Sequence, residues 1–274
     1  MTHVLARQER FAVVGSTNDV VRAWLADGTP EVCLAVADEQ TAGRGREGRS
    51  WVAPAGCALL LSLGFRPSWL APDRVWRLAA TASLAMADAA EAVARLPDGT
   101  IRLKWPNDLV IEGPSGVAKV AGVLGETDGL GGPDPRAVIG LGVNTDWPAS
   151  TFPADLRGSM TSLREASGDR AVDGDVLLEA FVSRVEDGIV ALRDGRFDAR
   201  RWSDRQVTTG RAVELIAPDG SVETVQARDV DAGTGALVVE DPTVPAGVRQ
   251  VIVGEIRHVR LAAPARPAAS QAGV

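Results

Sequence analysis

Read for hydrophobic and polar positions, the chain divides into apolar runs that suit strands and longer stretches that repeat at helical spacing. Short apolar runs at 11–14, 32–37, 57–65 and 137–143 predict strands, and the near-continuous ones predict strands buried on both faces. Residues 101–105 alternate as a strand, and 109–111 with 117–126 read as a hairpin about a Gly/Pro turn. Val20, Val21, Trp24 and Leu25 recur at helical spacing behind the capping residues Ser16, Thr17 and Asn18, which predicts a helix over 17–26. Further helices are predicted over 74–95, 175–192 and 197–204. From Arg211 onward the period changes to short alternating strands (213–216, 222–230, 236–239, 248–259) separated by turns such as Pro218-Asp219-Gly220. The fold expected is α/β (α+β): a mixed sheet with packed helices over 1–207, then a small barrel-like all-β domain over 208–262. The Ala/Pro-rich residues 263–274 read as a disordered tail.

Between the second and third strands lies Gly43-Arg44-Gly45-Arg46-Glu47-Gly48-Arg49-Ser50-Trp51. Alternating glycine and arginine suits neither helix nor strand, so the stretch is expected to be a mobile loop presenting positive charge to a small anion. Gly43, Gly45 and Gly48 match a dinucleotide-binding fingerprint, but that motif must open a helix, and Pro54 and Gly56 follow instead. Lys119 sits inside an otherwise apolar strand, on a face expected to include Ala121 and Val123. Its ammonium must reach an edge, a bound anion or an internal carboxylate, because unpaired burial would cost several kcal/mol.

Composition narrows the chemistry. With 274 residues and 45% hydrophobic content the chain can bury one large core and a small second one. A net charge of -7 argues against broad nucleic-acid binding. No apolar run reaches membrane-spanning length and residues 1–11 lack signal-peptide character, so a cytoplasmic protein is expected. Cys33 and Cys57 read as buried thiols within strands. With only His3 and His258, and with no Walker, H-E-x-x-H or G-x-S-x-G motif, histidine triads and histidine metal sites are excluded. Cations and backbone amides are left to do the work, which favours electrostatic stabilisation of anionic chemistry.

Taken together, Ser16-Thr17-Asn18, Gln40 with the loop 43–51, Lys104-Trp105-Pro106-Asn107-Asp108, Lys119-Val120-Ala121-Gly122 with Glu126, and Gly140-Leu141-Gly142-Val143-Asn144 occur in the order and spacing of biotin-protein ligases. The chain resembles the monofunctional type, since too few residues precede Ser16 for a DNA-binding domain. The β-rich C-terminal segment is similar to that family's SH3-like domain. The resemblance implies a two-step reaction in which biotin and ATP, with Mg²⁺, give biotinyl-5′-adenylate and pyrophosphate. Biotin then passes to a lysine of a biotin carboxyl carrier domain.

The resemblance assigns roles residue by residue. Lys119 and Arg46 are implied as the catalytic cations, and Ser16, Thr17, Asn18, Gln40, Gly43, Arg44, Gly45, Arg46, Lys119 and Gly122 as the biotin site. Arg46, Arg49, Trp51, Lys104, Asn107, Asp108, Lys119 and Asn144 fall on the ATP side, with Asp108 a Mg²⁺ contact. Met160 stands where some members place an adenine-packing tryptophan, and Glu47 and Ser50 replace loop cations that some members carry. Lipoate- or octanoate-protein ligase is the alternative within the same acyl-adenylate chemistry, and a non-catalytic biotin or nucleotide sensor is the alternative outside it. Neither nucleic acid nor membrane is an expected partner, and the chain is expected to be a monomer or weak homodimer.

Overall fold

The computed structural model describes residues 4–113, 116–253 and 258–261. It divides into two compact units, Met1–Val207 with Ala232–Gly235, and Thr208–Asp231 with Ala236–Val274. The first unit is built on β1 (Arg7–Val14), α1 (Thr17–Ala26), β2 (Cys33–Gln40), β3 (Ala58–Phe65), α2 (Trp76–Ala94), β4 (Ile101–Lys104), β5 (Asp108–Gly113), β6 (Gly116–Asp128), β7 (Arg136–Asn144), α3 (Leu163–Ala166), α4 (Gly174–Arg193) and α5 (Ala199–Asp204). Its strands form one seven-stranded sheet in the order β1-β2-β3-β7-β6-β5-β4. β1 runs parallel to β2 and every other neighbouring pair is antiparallel.

The apolar runs become the central strands because only they can be covered on both faces. On one face Val21 and Leu25 of α1 pack with Cys33, Ala35 and Val138. Gly64 leaves room there, since a Cβ would lie 2.5 Å from Val21 and 2.6 Å from the Cys33 sulfur. Alternation turns Leu61, Leu63, Phe65, Ile139 and Leu141 to the opposite face, where all are buried. α2 packs on β4, β6, β7 and α4, and α4 reaches β3.

Several boundaries differ from the sequence pattern. β1 reaches back to Arg7, because parallel pairing with buried β2 supplies backbone partners even where the side chains are charged and exposed. β4 stops at Lys104, and buried Trp105 leaves the strand to donate its indole N–H to the Gly235 carbonyl at 2.9 Å. α3, not evident from periodicity, is a single turn capped by Ser162, whose hydroxyl accepts from the Glu165 N–H. Cys33 is buried, and burial pushes its thiol up to about 11; Cys57 stands half-buried just before β3. Both are free thiols.

The second unit consists of β8 (Ala212–Ile216), β9 (Val222–Val230), β10 (Leu237–Glu240), β11 (Val248–Val251) and β12 (His258–Leu261), antiparallel in the order β11-β10-β9-β8-β12. Val213, Leu215, Ala227, Leu237, Val239 and Val259 form its buried side. Among the described residues these strands form an open sheet with β11 and β12 as its edges, whereas the barrel-like closure expected from the sequence requires those edges to meet. The tail expected at 263–274 lies outside the described residues.

One buried polar cluster fastens the far edge of the large sheet. Glu91 of α2 is 2% exposed, and its carboxylate accepts from the Ile101 N–H at 2.7 Å and from Arg205 at 2.9 Å. Glu91→Ala leaves a buried strand N–H without its acceptor and the largely buried Arg205 guanidinium with only Asp88 and the Ile101 carbonyl. It is expected to lower stability by about 3 kcal/mol in urea denaturation followed by circular dichroism.

Candidate active site

The floor of the site is bare backbone. Gly122 of β6 and Gly142 of β7 are directly paired, and the Trp51 indole lies across both. A Cβ on Gly142 would fall 2.4 Å from the indole, and one on Gly122 would fall 3.0 Å from it. Two residues along, a Cβ on Gly140 would fall 2.2 Å from Asn18 Oδ1. The glycines of the Gly140–Asn144 block are therefore spaces filled by one side chain from the loop and one from α1. The Trp51 indole N–H is buried there without a hydrogen-bond partner among the described residues.

Beside this floor sits a buried polar cluster where α1 begins. Gln40, at the end of β2, accepts through Oε1 from both the Thr17 backbone N–H (2.7 Å) and its hydroxyl (3.0 Å). This satisfies a free N–H of the first helical turn and turns the Gln40 amide nitrogen, a donor, toward Gly43. Ser62 of β3, wholly buried, lies 2.7 Å from Thr17 Oγ1 and 2.6 Å from Asn18 Oδ1. Asn18 donates on its other side to Glu126 at 2.7 Å. Ser16 caps α1 with extended backbone, and its buried hydroxyl makes no capping bond. Ser62 escaped the sequence reading although a visible signal existed, a hydroxyl within the apolar run 57–65.

The glycine-arginine loop is not shapeless. Residues 43–51 close as a small hairpin: Arg44 bridges Ser50, Gly45 donates to the Arg49 carbonyl at 2.6 Å, and Trp51 donates to the Gly43 carbonyl at 2.9 Å. Arg46–Gly48 form a 3-10 turn at its tip, with Glu47 and Gly48 both at positive φ. Nor is its charge uncompensated. Arg44 grips Asp19 of α1 with two bonds of 2.7 Å and lies 3.5 Å from Glu126, while Arg22 also reaches both carboxylates. The Arg44 hydrogen bonds hold the Asp19 carboxyl below its ordinary range, so this attraction weakens as pH falls through that lowered value. Burial pushes the Arg46 guanidinium below its usual value, with Glu47 and Asp108 opposing. Arg49 is exposed and turns back to the Arg46 carbonyl at 3.3 Å.

Lys119 differs from the sequence expectation. The register between β5 and β6 shifts at Leu109/Val110, with Val120 as the extra residue, so Lys119 no longer shares a face with Ala121 and Val123. Instead its ammonium lies within reach of Gly122 and 5.3 Å from the centre of the Trp51 ring. Its internal carboxylate exists: Asp108 is 2.6 Å away, with Lys104 at 3.9 Å from the same group. At this point β6 leaves β7 and pairs with the segment around Met160. The Asn107 and Asn144 amides are committed as donors, to the Val123 and Thr161 carbonyls at 2.8 and 2.9 Å. Among the described residues no cluster of three acidic, histidine or cysteine side chains could hold a metal ion.

The site thus brings together a polar cluster at Ser16–Asn18 and Gln40, a glycine floor under Trp51, and cations at Arg44, Arg46, Lys104 and Lys119. No helix of the described residues is long and apolar enough to cross a membrane. Residues 11–144 match the Biotin/lipoate A/B protein ligase family. The chain is similar to the biotin–acetyl-CoA-carboxylase ligase of Mycobacterium tuberculosis, 32% identical over 91% of this chain and 88% of the relative. It is also 33% identical to the ligase of the same name from Paracoccus denitrificans, over 83% of this chain and 90% of that one. The fold is shared with the biotin protein ligase from Aquifex aeolicus in complex with biotin and ATP, at a TM-score of 0.75 and 22% identity, covering 93% of this chain and 99% of that one.

Because Asp19 and Arg44 tie the loop hairpin to α1, Asp19→Asn is expected to speed tryptic cleavage at Arg46 and Arg49 about two- to fivefold, the range for a half-exposed ion pair. Unchanged cleavage kinetics would show that the Asp19–Arg44 pair does not hold the hairpin.

Proposed function

This chain belongs to the Biotin/lipoate A/B protein ligase family, and from that premise we propose that it is an ATP-dependent biotin-protein ligase. What supports biotin over lipoate or octanoate is the pocket of Thr17, Asn18, Gln40 and Ser62, all polar and most of them buried. A cyclic urea presents one carbonyl and two N–H groups that such a pocket can satisfy. A dithiolane or an alkyl chain would offer no hydrogen bond to the polar atoms that the internal bonds leave open, at about 1–3 kcal/mol each.

In the first step a biotin carboxylate oxygen attacks the α-phosphorus of ATP; the bond to the β-phosphate oxygen breaks and pyrophosphate leaves. Two unit charges brought to about 4 Å repel by about 4 kcal/mol at intermediate dielectric, so fixed cations must offset the approach. Lys119 and Arg46 are the groups for this, one beside the glycine floor and one in the hairpin over it, acting as charge-assisted donors to carboxylate and phosphate oxygens. Arg44, Gly43, Gly45 and Gly122 shape the biotin side. Lys104, Arg49, Asn107, Asp108, Asn144 and Trp51 serve the nucleotide, Asn107 and Asn144 by holding backbone, since their amides already bond carbonyls. In the second step the acceptor lysine amine attacks the acyl carbon and AMP departs; no enzyme nucleophile is needed.

Mg²⁺ fits as a companion of ATP. A single carboxylate, Asp108, beside the nucleotide suits an ion that keeps waters and phosphate oxygens as its main ligands. When bound it would neutralise phosphate charge. The acceptor is the biotin carboxyl carrier domain of a carboxylase, the place of action is the cytoplasm, and residues 208–262 form the SH3-like domain. No nucleic acid is involved.

Pyrophosphate release from ATP and Mg²⁺ is expected with biotin as the sole acid and not with lipoate or octanoate. Release with none of the three would leave a binding protein. Lys119→Ala and Arg46→Ala are each expected to lower the rate by on the order of a hundredfold while the circular dichroism spectrum is retained. Near-normal rates in both would remove these cations from the mechanism.

A further inference from the structure

The buried hydrogen bonds behind the ring pocket have a direction, and it is set at Glu126. A carboxylate carries only acceptors, so Asn18 meets it through Nδ2, at 2.7 Å, and turns Oδ1 the other way. Oδ1 then faces the Ser62 hydroxyl at 2.6 Å. Since Oδ1 can only accept, it takes the one proton Ser62 has. Ser62 Oγ keeps lone pairs toward Thr17, 2.7 Å away, and the Thr17 proton turns inward, to Ser62 Oγ or to Gln40 Oε1 at 3.0 Å. What Thr17 has left for a ligand is a lone pair. Thr17, Asn18 and Ser62 are each at most 4% exposed, so this ordering is set by the protein's own groups.

We propose that Glu126 and Ser62 are positioning residues that fix the Thr17 hydroxyl as a hydrogen-bond acceptor, so that the pocket selects a ring presenting an N–H. This rests on the reading of the site as a biotin pocket and adds to it the roles of two residues that act through Asn18 and Thr17. Glu126 also receives Arg22 at 2.7 Å and lies 3.5 Å from Arg44, so its carboxylate is held from several sides. Gly140 completes the arrangement, because any side chain there would displace the Asn18 amide.

The order of protons can be broken and restored without changing the shape of the pocket. In Glu126→Gln the new amide offers both donor and acceptor, so Asn18 can lie either way round and Ser62 is no longer committed. In the double variant Asn18→Asp with Glu126→Gln, the carboxylate at position 18 accepts from Gln on one side and from Ser62 on the other, which returns the Ser62 proton to its original bond.

The test is calorimetric titration of the full chain with biotin in the absence of ATP. Glu126→Gln and Ser62→Ala are each expected to raise the biotin Kd about tenfold, the scale of one misdirected buried hydrogen bond. The double variant is expected to return to within about threefold of the unaltered protein, as coupled neighbours do. Arg22→Ala, which removes the exposed ion pair to Glu126 but no acceptor, is expected to bind biotin normally. An unchanged Kd in Glu126→Gln, or a double variant no better than the single one, overturns the proposal. A merely structural role for Glu126 would give a lowered melting temperature with no recovery in the swap. Failure of the unaltered protein to bind biotin would instead overturn the functional reading beneath it.

Discussion

The geometry of the site depends on a strip of sheet that carries no side chains. Gly122, Gly140 and Gly142 lie on adjacent strands facing α1 and the loop, and at each of them a Cβ would run into Trp51, Lys119 or Asn18. A glycine inside a strand costs roughly 0.5–1 kcal/mol in conformational freedom relative to alanine. That cost is offset by what the bare backbone permits. Trp51 lies flat on the Gly122–Gly142 pair, which anchors the C-terminal end of the loop hairpin, and Asn18 seats against Gly140, which holds the start of α1 over the sheet. With side chains in those places, both the loop and the helix start would be lifted away from the polar pocket.

From this constraint the two halves of the site become one object. Asn18 and Arg44 converge on Glu126, and Asp19 receives the loop from the next residue of the same helix. Trp51 meanwhile stands over Lys119, at a distance where the ring face attracts an ammonium. The ring pocket and the cationic side are thus linked through groups that the ligand itself need not touch. A change at Asp19 or Glu126 should therefore be felt in both.

Much of this was legible from the order of residues. Apolar runs long enough to be covered on both faces read directly as β2, β3 and β7, and the capping residues at Ser16–Asn18 marked α1, because these features depend on local chemistry. Closure of the second sheet is not legible in the sequence, since alternation reports which residues face inward and nothing about whether edge strands meet. The face of Lys119 is not legible because a bulge has no compositional mark: Val117-Ala118-Lys119-Val120-Ala121 holds one polar residue among apolar ones and fixes no register. The carboxylates that hold Arg44 and Lys119 lie far from them in the chain or across a turn, so charge counted along the loop overstated the free positive charge.

That last point bears on how the proposed chemistry balances its charges. Lys119 rests on Asp108 and Arg44 on Asp19, so neither cation faces the cost of being buried alone before a ligand arrives. An incoming carboxylate or phosphate then exchanges with an internal partner and does not neutralise a bare charge, and the net electrostatic gain on binding is small. Affinity for the acid must come chiefly from the ring pocket, where hydrogen-bond direction is specified, while the cations act as the reacting oxygens close on phosphorus and negative charge accumulates. Burial also disfavours the charged form of Arg46, against the pull of Glu47 and Asp108.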